Sequence, residues 1–295
     1  MITHPEKVLF PGDGSEAAIT KGELASYYES VAKVMIPHIR ARPVTMERYP
    51  AGITAEGFIQ KDVSRGFPAW LERVEVPKKG GTVRHPVIGD TRSLLWVTNQ
   101  NCITPHVWTS RAPDLYQPDI LVVDLDPAEE ETDILRRAAV AVRNLLDEVG
   151  LPSWVKTSGS KGFHIVVPLD GKSGFDEVGG FAQNLGAVLV SRDPAHLTQE
   201  FHKVDRGGRI LVDTARNRYG ATFAAPYAVR PKPGAPVSAP CTWEEIERGD
   251  VSPRTFTLRT MGHRVRESGD LWKDMRRRRR ALRQPIERLR RLTRG

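Results

Sequence analysis

The chain has 295 residues, of which 39% are apolar and 27% charged, an ordinary composition for a folded globular protein. No run approaches the roughly 18 to 20 consecutive apolar residues that a membrane-spanning helix needs, and the first residues lack the pattern of a signal peptide. We therefore expect a cytoplasmic protein with no membrane partner. The two cysteines, Cys102 and Cys241, are too few for a disulfide framework, so we expect buried thiols and no structural metal.

The charge is unevenly distributed. Lys and Arg outnumber Asp and Glu by 44 to 36, giving a net charge of +8, but residues 276–295 alone hold ten arginines and a single acid, Glu287. The rest of the chain is close to neutral, so the basic pI describes this tail. The five consecutive arginines Arg276 to Arg280 favour either binding to a phosphate backbone or a solvated basic extension, and the sequence leaves both open.

In the first third of the chain, apolar residues recur at helical spacing from 15 to 36, and Ser15 or Thr20 offers an N-cap. Short apolar runs broken by Pro and Gly follow from 43 to 108, a pattern typical of strands and turns. We predict a helix and then a strand-rich region.

The second half predicts helices packed against a sheet. A strand over 120–126 leads to a helix over 132–149 that Gly150 ends. The elements predicted after it are strands at 153–158 and 163–169, a helix at 175–192, a strand at 209–213, a short helix from Trp243, and a helical, mostly solvated tail from about 268. This order is typical of an α/β or α+β fold.

The strongest local signal is the segment ILVVDLDP at 120–127. Four apolar residues predict a buried strand, and Asp124 and Asp126, two positions apart, then project from one face of it. Two neighbouring carboxylates at the end of a core strand are costly without a cation, and oxygen ligands suit Mg²⁺ or Mn²⁺. The alternative is that both carboxylates cap the following helix, and Asp-x-Asp alone does not decide between these.

A second apolar strand also ends in a carboxylate, at Asp213. Three carboxylates at strand ends match the needs of two-metal phosphoryl or nucleotidyl transfer, in which one ion activates the attacking hydroxyl and the other holds the triphosphate. The sequence therefore predicts a site of two Mn²⁺ or Mg²⁺ ions at Asp124, Asp126 and Asp213.

Between these strands lies the turn TSGSKGFH at 157–164. Its glycines allow close approach of backbone N–H groups to an anion, Ser158 can donate a hydrogen bond, and Lys161 supplies a charge. A plain Ser-Gly hairpin turn is the alternative. Lys203, Arg206 and Arg230 lie in segments on either side of Asp213 and could share the charge of a triphosphate.

The sequence leaves the roles of two histidines open. His106 precedes the first aspartate strand, and His164 follows the turn. Each could be a core histidine with its hydrogen bonds satisfied or a member of the site.

Taken in order, these motifs resemble those of archaeo-eukaryotic primase-type polymerases, and most of all the polymerase domain of bacterial ligase D, the end-joining polymerase. The resemblance rests on DLDP at 124–127, SGSKGFH at 158–164 and VD at 212–213, and extends from Thr3 to about Trp243 through THPEKVL at 3–9, GFIQK at 57–61, NR at 217–218 and APYAVR at 225–230. It implies a primase-polymerase fold with an RRM-like catalytic sheet and a packed N-terminal α/β lobe. It also implies a domain over 1–265 made of two packed lobes, followed by the Arg-rich tail at 266–295.

The resemblance also implies roles for single residues. Asp124, Asp126 and Asp213 would hold the catalytic metals, with Mn²⁺ often preferred. The incoming nucleotide would be contacted by Ser158, Lys161, His164, Arg206 and Arg230, with help from Lys203, and His106 would lie near its sugar. On the DNA side, Lys7 and Lys21 match a pair that grips a 5′-phosphate, and Phe58, next to Lys61, matches a platform for the template base.

The implied activity is template-dependent addition of nucleotides, with ribonucleotides favoured, at gaps or broken DNA ends in non-homologous end joining or repair. No KxDG motif is present for strand sealing, so Ku and a separate DNA ligase are the partners to expect, in the cytoplasm at the nucleoid. Ile59 stands where some relatives carry a second aromatic residue, and the loop at 108–118 is short.

One alternative is a non-catalytic DNA-end tether for a Ku and ligase complex. Another is a phosphatase or sugar transferase that uses Asp-x-Asp alone, which would leave Asp213 without a purpose.

Overall fold

The computed structural model describes residues 2–12, 14, 17–63, 66–129 and 132–292. Its strands are β1 (Val8–Phe10), β2 (Ile19–Thr20), β3 (Val44–Arg48), β4 (Phe58–Gln60), β5 (Arg73–Lys78), β6 (Gly81–Pro86), β7 (Cys102–Trp108), β8 (Ile120–Asp126), β9 (Trp154–Thr157), β10 (Phe163–Pro168), β11 (Leu197–Thr198), β12 (Ile210–Asp213), β13 (Thr222–Ala224) and β14 (Pro240–Cys241). Its α-helices are α1 (Lys21–Ile39), α2 (Thr91–Asn99), α3 (Thr132–Val149), α4 (Phe175–Arg192), α5 (Trp243–Arg248), α6 (Leu258–Ser268) and α7 (Arg283–Leu292). Over these described ranges, no helix has the length and apolar character needed to cross a membrane.

The chain divides into two compact units. Unit 1 comprises residues 1–115, 222–239 and 255–270, and unit 2 comprises 116–221, 240–254 and 271–295. Each unit therefore draws on separate stretches of the chain.

Unit 1 contains the four-stranded sheet β13-β7-β3-β4 and the hairpin β5-β6. Helix α1 packs against α2 and α6. It starts at a capping box, in which Thr20 Oγ1 accepts from Glu23 N at 3.2 Å and Glu23 Oε2 accepts from Thr20 N at 2.8 Å. The predicted first helix and its cap at Thr20 are confirmed, and the other candidate cap, Ser15, lies outside the described residues.

Helix α2 corrects the strand-and-turn prediction for 43–108. Asp90 caps this helix by accepting a hydrogen bond from Ser93 N at 2.7 Å, and Leu94 and Val97 are buried one turn later. An acidic N-cap before apolar residues at helical spacing is a start signal that the surrounding Pro and Gly obscured.

Unit 2 is built on the six-stranded sheet β11-β12-β8-β10-β9-β14. Its pairs are antiparallel except β11 with β12, and α3 and α4 pack against the sheet. Helix α3 ends before Gly150, whose φ of +84° suits glycine. The predicted mixed α/β fold is confirmed, as are the helices and strands predicted between 120 and 213.

The C-terminal segment is partly helical, as predicted, but it is attached to the core of unit 2 rather than mostly solvated. Trp272, Met275, Leu282 and Leu289 are all buried, and α7 packs on α3 and α4. The arginines dominate the composition of this segment and hide the apolar residues spaced among them. The two cysteines, Cys102 and Cys241, are buried free thiols, as predicted.

Candidate active site

One row of side chains crosses four neighbouring strands of unit 2. Asp213 pairs with Asp124, Asp124 pairs with His164, and His164 pairs with Lys156. Directly paired residues project from the same face of a sheet, and so does Asp126, two positions after Asp124. The register of the sheet thus brings all three predicted aspartates together with His164. Helix α3 begins six residues after Asp126, too far for either carboxylate of β8 to be its N-cap.

Two arginines hold the carboxylates. Arg216 Nε lies 3.2 Å from Asp124 Oδ2 and 3.4 Å from Asp213 Oδ2, and Arg206 Nη1 lies 3.0 Å from Asp126 Oδ2. Burial raises the pKa of Asp124 to about 6; Arg216 opposes this shift, while the charges of Asp213 and Asp126 add to it. Burial is thus the main reason that the ionised form of Asp124 is disfavoured, and a cation bound beside it would favour that form.

The donor set fits a hard divalent cation. Three carboxylates converge from adjacent strand ends, and oxygen ligands of this kind suit Mg²⁺ or Mn²⁺. In the part of the chain that the structure describes, no three His, Cys, Asp or Glu side chains are already closed around one point. Arg206 and Arg216 contact the carboxylate oxygens instead, so an ion would have to replace these contacts.

His164 lies between a carboxylate and a buried lysine. Its Nε2 is 3.4 Å from Asp124 Oδ1, and its Nδ1 is 2.7 Å from Lys156 Nζ. Lys156 is fully buried in β9. His164 is therefore a member of the site and not an isolated core histidine.

The turn between β9 and β10 is closed by Ser158. Its Oγ accepts hydrogen bonds from Ser160 N at 3.1 Å and Gly162 N at 3.0 Å. Lys161 Nζ donates to Ala128 O at 3.2 Å, across the turn from β8. This arrangement keeps Lys161 beside the end of the Asp-x-Asp strand.

Arg254 adds a further positive charge to the turn. Its Nε donates to Ser160 O at 2.9 Å, and Arg254, Ser160 and Lys161 line a cleft of about 200 Å³. Two cations and a hydroxyl around a cleft of this size form an environment suited to phosphate.

Lys203 and Arg206 belong to the loop before β12. Lys203 is exposed on a single 3₁₀ turn, Lys203–Asp205. Arg206 is 4% exposed, and besides Asp126 it donates to the carbonyls of Glu200 and Phe201. Lys203 therefore faces solvent, whereas Arg206 is held against the carboxylates.

His106 and Arg230 belong to unit 1. His106 Nε2 lies 2.9 Å from Glu47 Oε2. Burial alone would raise the pKa of Glu47, but the hydrogen bond and charge of His106, together with Arg230, lower it below its ordinary value. The contact between His106 and Glu47 connects β7 to β3.

Lys7 and Lys21, also of unit 1, are linked by the hydrogen bond from Lys21 N to Lys7 O at 2.8 Å. Burial and the charge of Lys7 lower the pKa of Lys21, while Glu6 acts in the opposite direction. Because the charge of Lys7 disfavours the charged form of Lys21, a bound anion would stabilise that form.

Phe58 and Lys61 lie at the edge strand β4 of unit 1 and just after it. Phe58 is 46% exposed and Ile59 is 55% exposed, and Lys61 is exposed as well. The Arg48 guanidinium lies 5.1 Å from the centre of the Phe58 ring and supports one of its faces. An exposed ring on a supported edge strand is a suitable platform for stacking.

Three residues of the site were not predicted from the sequence: Lys156, Arg216 and Arg254. Lys156 stands alone in an apolar strand two positions before Ser158, and a charge there is a signal that could have identified it. Arg216 and Arg254 carry no local signal, because their roles depend on residues far away in the sequence.

Comparisons with known proteins agree with this geometry. The sequence model of the LigD primase-polymerase domain matches residues 20–272. The multifunctional non-homologous end joining protein LigD of Mycolicibacterium smegmatis is 36% identical over 273 residues, which cover 92% of this chain and 35% of that protein. The corresponding protein of Pseudomonas aeruginosa is 33% identical over 280 residues, covering 92% of this chain and 32% of that protein. The chain thus spans about a third of the length of these curated relatives.

Among solved structures, the polymerase domain of Mycobacterium tuberculosis ligase D in complex with DNA superposes with a TM-score of 0.87 at 32% identity. The match covers 95% of this chain and 99% of that one. With the family model matched over most of the sequence and the same fold in a solved member, this chain belongs to the LigD primase-polymerase domain family.

Proposed function

We propose that the chain is a template-dependent nucleotidyltransferase, a polymerase or primase-polymerase that extends a strand at gaps or broken DNA ends in non-homologous end joining or repair. The observation that carries this proposal is the group of Asp124, Asp126 and Asp213 on paired strands beside the Ser158–Gly162 turn. Family membership supports the same reaction. Ribonucleotides are the expected substrates because the site resembles family members that favour them.

The metals belong to the proposal. Asp124, Asp126 and Asp213 would hold two divalent ions, Mn²⁺ or Mg²⁺. Ions at such a site lower the pKa of an attacking hydroxyl and stabilise the charge on phosphoryl oxygens.

The chain's own residues bind and orient the nucleotide. Lys161 and Arg254, on the cleft beside the turn, would pair with phosphate oxygens, and Ser158 keeps the turn closed. His164 would donate from Nε2 towards the carboxylates and phosphates. Lys203, Arg206, His106 and Arg230 complete the nucleotide-binding set that we propose.

On the DNA side, Lys7 and Lys21 would bind a 5′-phosphate, and Phe58 with Lys61 would support the template base. We assign the catalytic region to residues 1–265 and an appended basic segment to 266–295. Ku and a DNA ligase are the proposed partners, with the nucleoid as the place of action.

The decisive experiment is extension of a gapped duplex carrying a 5′-phosphate, with rNTP or dNTP and with Mg²⁺ or Mn²⁺. We expect extension by the parent chain and its loss in Asp126→Asn, while duplex affinity is retained. Asp133→Asn is the matched control, since Asp133 is an exposed acid of α3 in the same unit. Extension by Asp126→Asn at the parent rate would refute the metal assignment, and absence of extension by the parent in all four conditions would refute the reaction class.

The second candidate function is the non-catalytic end tether, and the neighbouring lysines Lys7 and Lys21, joined by the hydrogen bond from Lys21 N to Lys7 O, favour it. A tether would prefer 5′-phosphorylated over 5′-hydroxyl ends and would lose that preference in Lys21→Gln, yet would extend nothing. Measuring end affinity beside extension separates the two functions.

A further inference from the structure

The arginine run at 276–280 lies beyond the part of the chain that matches the family model, which ends at residue 272. Family membership therefore assigns it no role. Between residues 273 and 280, six basic residues accompany a single acid, Asp274. The run is the strongest local concentration of charge in the sequence.

The run sits on a fixed backbone. It begins in the 3₁₀ turn Met275–Arg278, and Trp272, Met275 and Leu282 on either side are buried. At its end, Arg280 N donates to Pro168 O at 3.2 Å and Arg280 O accepts from Asp170 N at 3.1 Å, so the run is attached to the end of β10. Arginines on a fixed backbone lose less conformational freedom on binding than arginines on a disordered tail.

All five side chains of the run are exposed. Arg277 pairs with Asp274 at 3.3 Å, whereas Arg279 donates to Arg276 O and Arg280 to Arg279 O. Such contacts to backbone carbonyls orient a guanidinium without neutralising its charge. The run therefore presents an array of oriented positive charges.

The arginines of α7 differ from those of the run. Arg283 and Arg290 line a cleft of about 600 Å³ together with the acids Asp176, Glu177 and Glu287, and Arg288 Nη1 donates to Val149 O at 3.2 Å. Their charge faces carboxylates or supports the fold. The structure thus divides one basic tail into a helix with acidic neighbours and an exposed run.

The run also lies away from the catalytic row. His164 is near the start of β10 and Pro168 ends it, about 13 Å away at roughly 3.3 Å per residue. Groups at the far end of the strand can hold a substrate but cannot take part in the chemistry.

We propose that Arg276 to Arg280 form a sequence-independent binding site for the phosphate backbone of duplex DNA, separate from the nucleotide site. Guanidinium groups bind phosphate oxygens in a bidentate manner, and each contact releases counterions, which makes the affinity salt-dependent. The choice of duplex DNA over other polyanions rests on the proposed function.

The test measures the affinity of the full chain for a labelled 20-base-pair duplex by fluorescence anisotropy across a salt series, without metal or nucleotide. We expect the triple variant Arg278→Gln, Arg279→Gln, Arg280→Gln to bind at least about tenfold more weakly at low salt. Its slope of log K against log salt should be shallower by about two to three, since each lost phosphate contact removes about 0.9. Substitution is preferable to deletion, because deletion would remove the buried Leu282 and Leu289 as well.

The matched control neutralises three arginines of unit 2 that already lie beside carboxylates: Arg143 with Glu247, Arg192 with Glu148 and Arg248 with Asp250. This triple removes the same formal charge and should leave the slope close to that of the parent. The charge-preserving triple variant Arg278→Lys, Arg279→Lys, Arg280→Lys should retain most of the parent slope.

An unchanged slope in the neutralised run, with an unchanged melting temperature, would overturn the proposal. So would an equal loss of slope in the control, or a loss of binding only to phosphatidylserine vesicles or single-stranded RNA offered in parallel. Because binding is measured without metal or nucleotide, this outcome is independent of whether the chain extends DNA. In the extension assay, the run variant should raise KM for the duplex and leave kcat unchanged.

Discussion

At the scale of single residues, the contact between Lys156 and His164 determines what the histidine can do. With Lys156 in its ammonium form, which has only donors, Nδ1 of His164 accepts and we infer that the ring proton is on Nε2, which faces Asp124. An imidazole in this tautomer donates a hydrogen bond from Nε2 and does not ligate a metal through it. Lys156 is therefore a positioning residue for His164 in the proposed reaction.

Replacing this lysine by a neutral side chain of similar length tests the role. We expect Lys156→Met to lower the single-turnover rate of extension by about tenfold or more, the effect of losing a hydrogen bond to a charged group, while duplex affinity is retained. Lys33→Met, at an exposed position of α1, is the control and should match the parent. The proton on Nε2 can be assigned from the ¹⁵N chemical shifts of the His164 ring, and a proton found on Nδ1 in the parent would contradict the assignment.

The site was predictable from the sequence only where a residue stands out locally. Asp124, Asp126 and Asp213 follow apolar runs, and Ser158 and Lys161 lie in a glycine-rich turn, so the residue types and positions predicted that they belong to one site, and the sheet register brings the three aspartates together. Arg216 was not predictable, because its importance comes from bridging Asp124 and Asp213, and that contact exists only after β8 and β12 pair in register.

At the scale of elements, the turn between β9 and β10 is packed tightly against β8. A Cβ added to Gly162 would lie 1.6 Å from Leu125 O, a backbone atom that cannot move aside without shifting β8. The glycine at this position serves close packing rather than an unusual φ.

We therefore expect Gly162→Ala to lower the free energy of unfolding by about 1–3 kcal/mol, the usual effect of overpacking, and to displace the turn. Gly180→Ala is the control, because a Cβ at Gly180 of α4 meets nothing within 4 Å. That change should be neutral or slightly stabilising, since alanine favours helix over glycine. Urea denaturation of both variants measures the difference, and equal stabilities would contradict the packing argument.

The hairpin β5-β6 contains a histidine that is buried in its neutral form. Burial lowers the pKa of His85; Lys61 adds to this, while the hydrogen bond to Val44 O and the charge of Asp62 oppose it. The unfolded chain therefore binds this proton at higher pH than the folded chain does. Its contribution to stability is present above the unfolded value of about 6.5 and is lost as the pH falls through the lower folded value.

It follows that the parent should lose stability as the pH falls below about 6.5 and that His85→Gln should lose less as the pH falls. Thermal unfolding at a series of pH values measures both slopes. His4→Gln, at an exposed histidine of the same unit, controls for the change in residue type. Identical pH slopes in parent and His85→Gln would show that another group is responsible.

The bounds of elements with a regular apolar periodicity were predicted closely. Helix α3 is an example, because its apolar face is continuous and Gly150 follows its last residue. Helix α2 was not predicted because it has only nine residues, too few for a clear apolar periodicity, and lies between Pro- and Gly-rich stretches. Its distinguishing features are the Asp90 cap and the buried Leu94 and Val97. Short helices depend more on tertiary packing than on periodicity.

At the scale of the whole molecule, the family resemblance implied two lobes but did not predict which stretches of the chain make up each unit. Residues 222–239 and 255–270 belong to unit 1 although they follow most of unit 2. The local composition does not show that these two stretches belong to unit 1. Strand β13, for example, belongs to unit 1 because it pairs with β7, and that pairing exists only in the folded chain.

The C-terminal segment contributes to the core of unit 2 through Trp272, which is 1% exposed. We expect Trp272→Ala to lower the free energy of unfolding by about 3–5 kcal/mol, the typical effect of removing a fully buried aromatic side chain. Trp70→Ala, at a tryptophan that is 40% exposed, should have a much smaller effect. Guanidinium denaturation followed by circular dichroism compares them, and a small loss for Trp272→Ala would mean that the segment is only loosely attached.

The row of side chains from Asp213 to Lys156 limits how the sequence can change in evolution. Its alignment is determined by backbone pairing, and the period of a strand is two, so inserting one residue within β8 would turn Asp124 and Asp126 to the opposite face. Loop lengths and many surface side chains can therefore vary between lineages of this sequence, whereas an insertion or deletion inside β8, β10 or β12 would break the alignment of the row. The spacing within these strands should be inherited more strictly than the identity of most residues that occupy them.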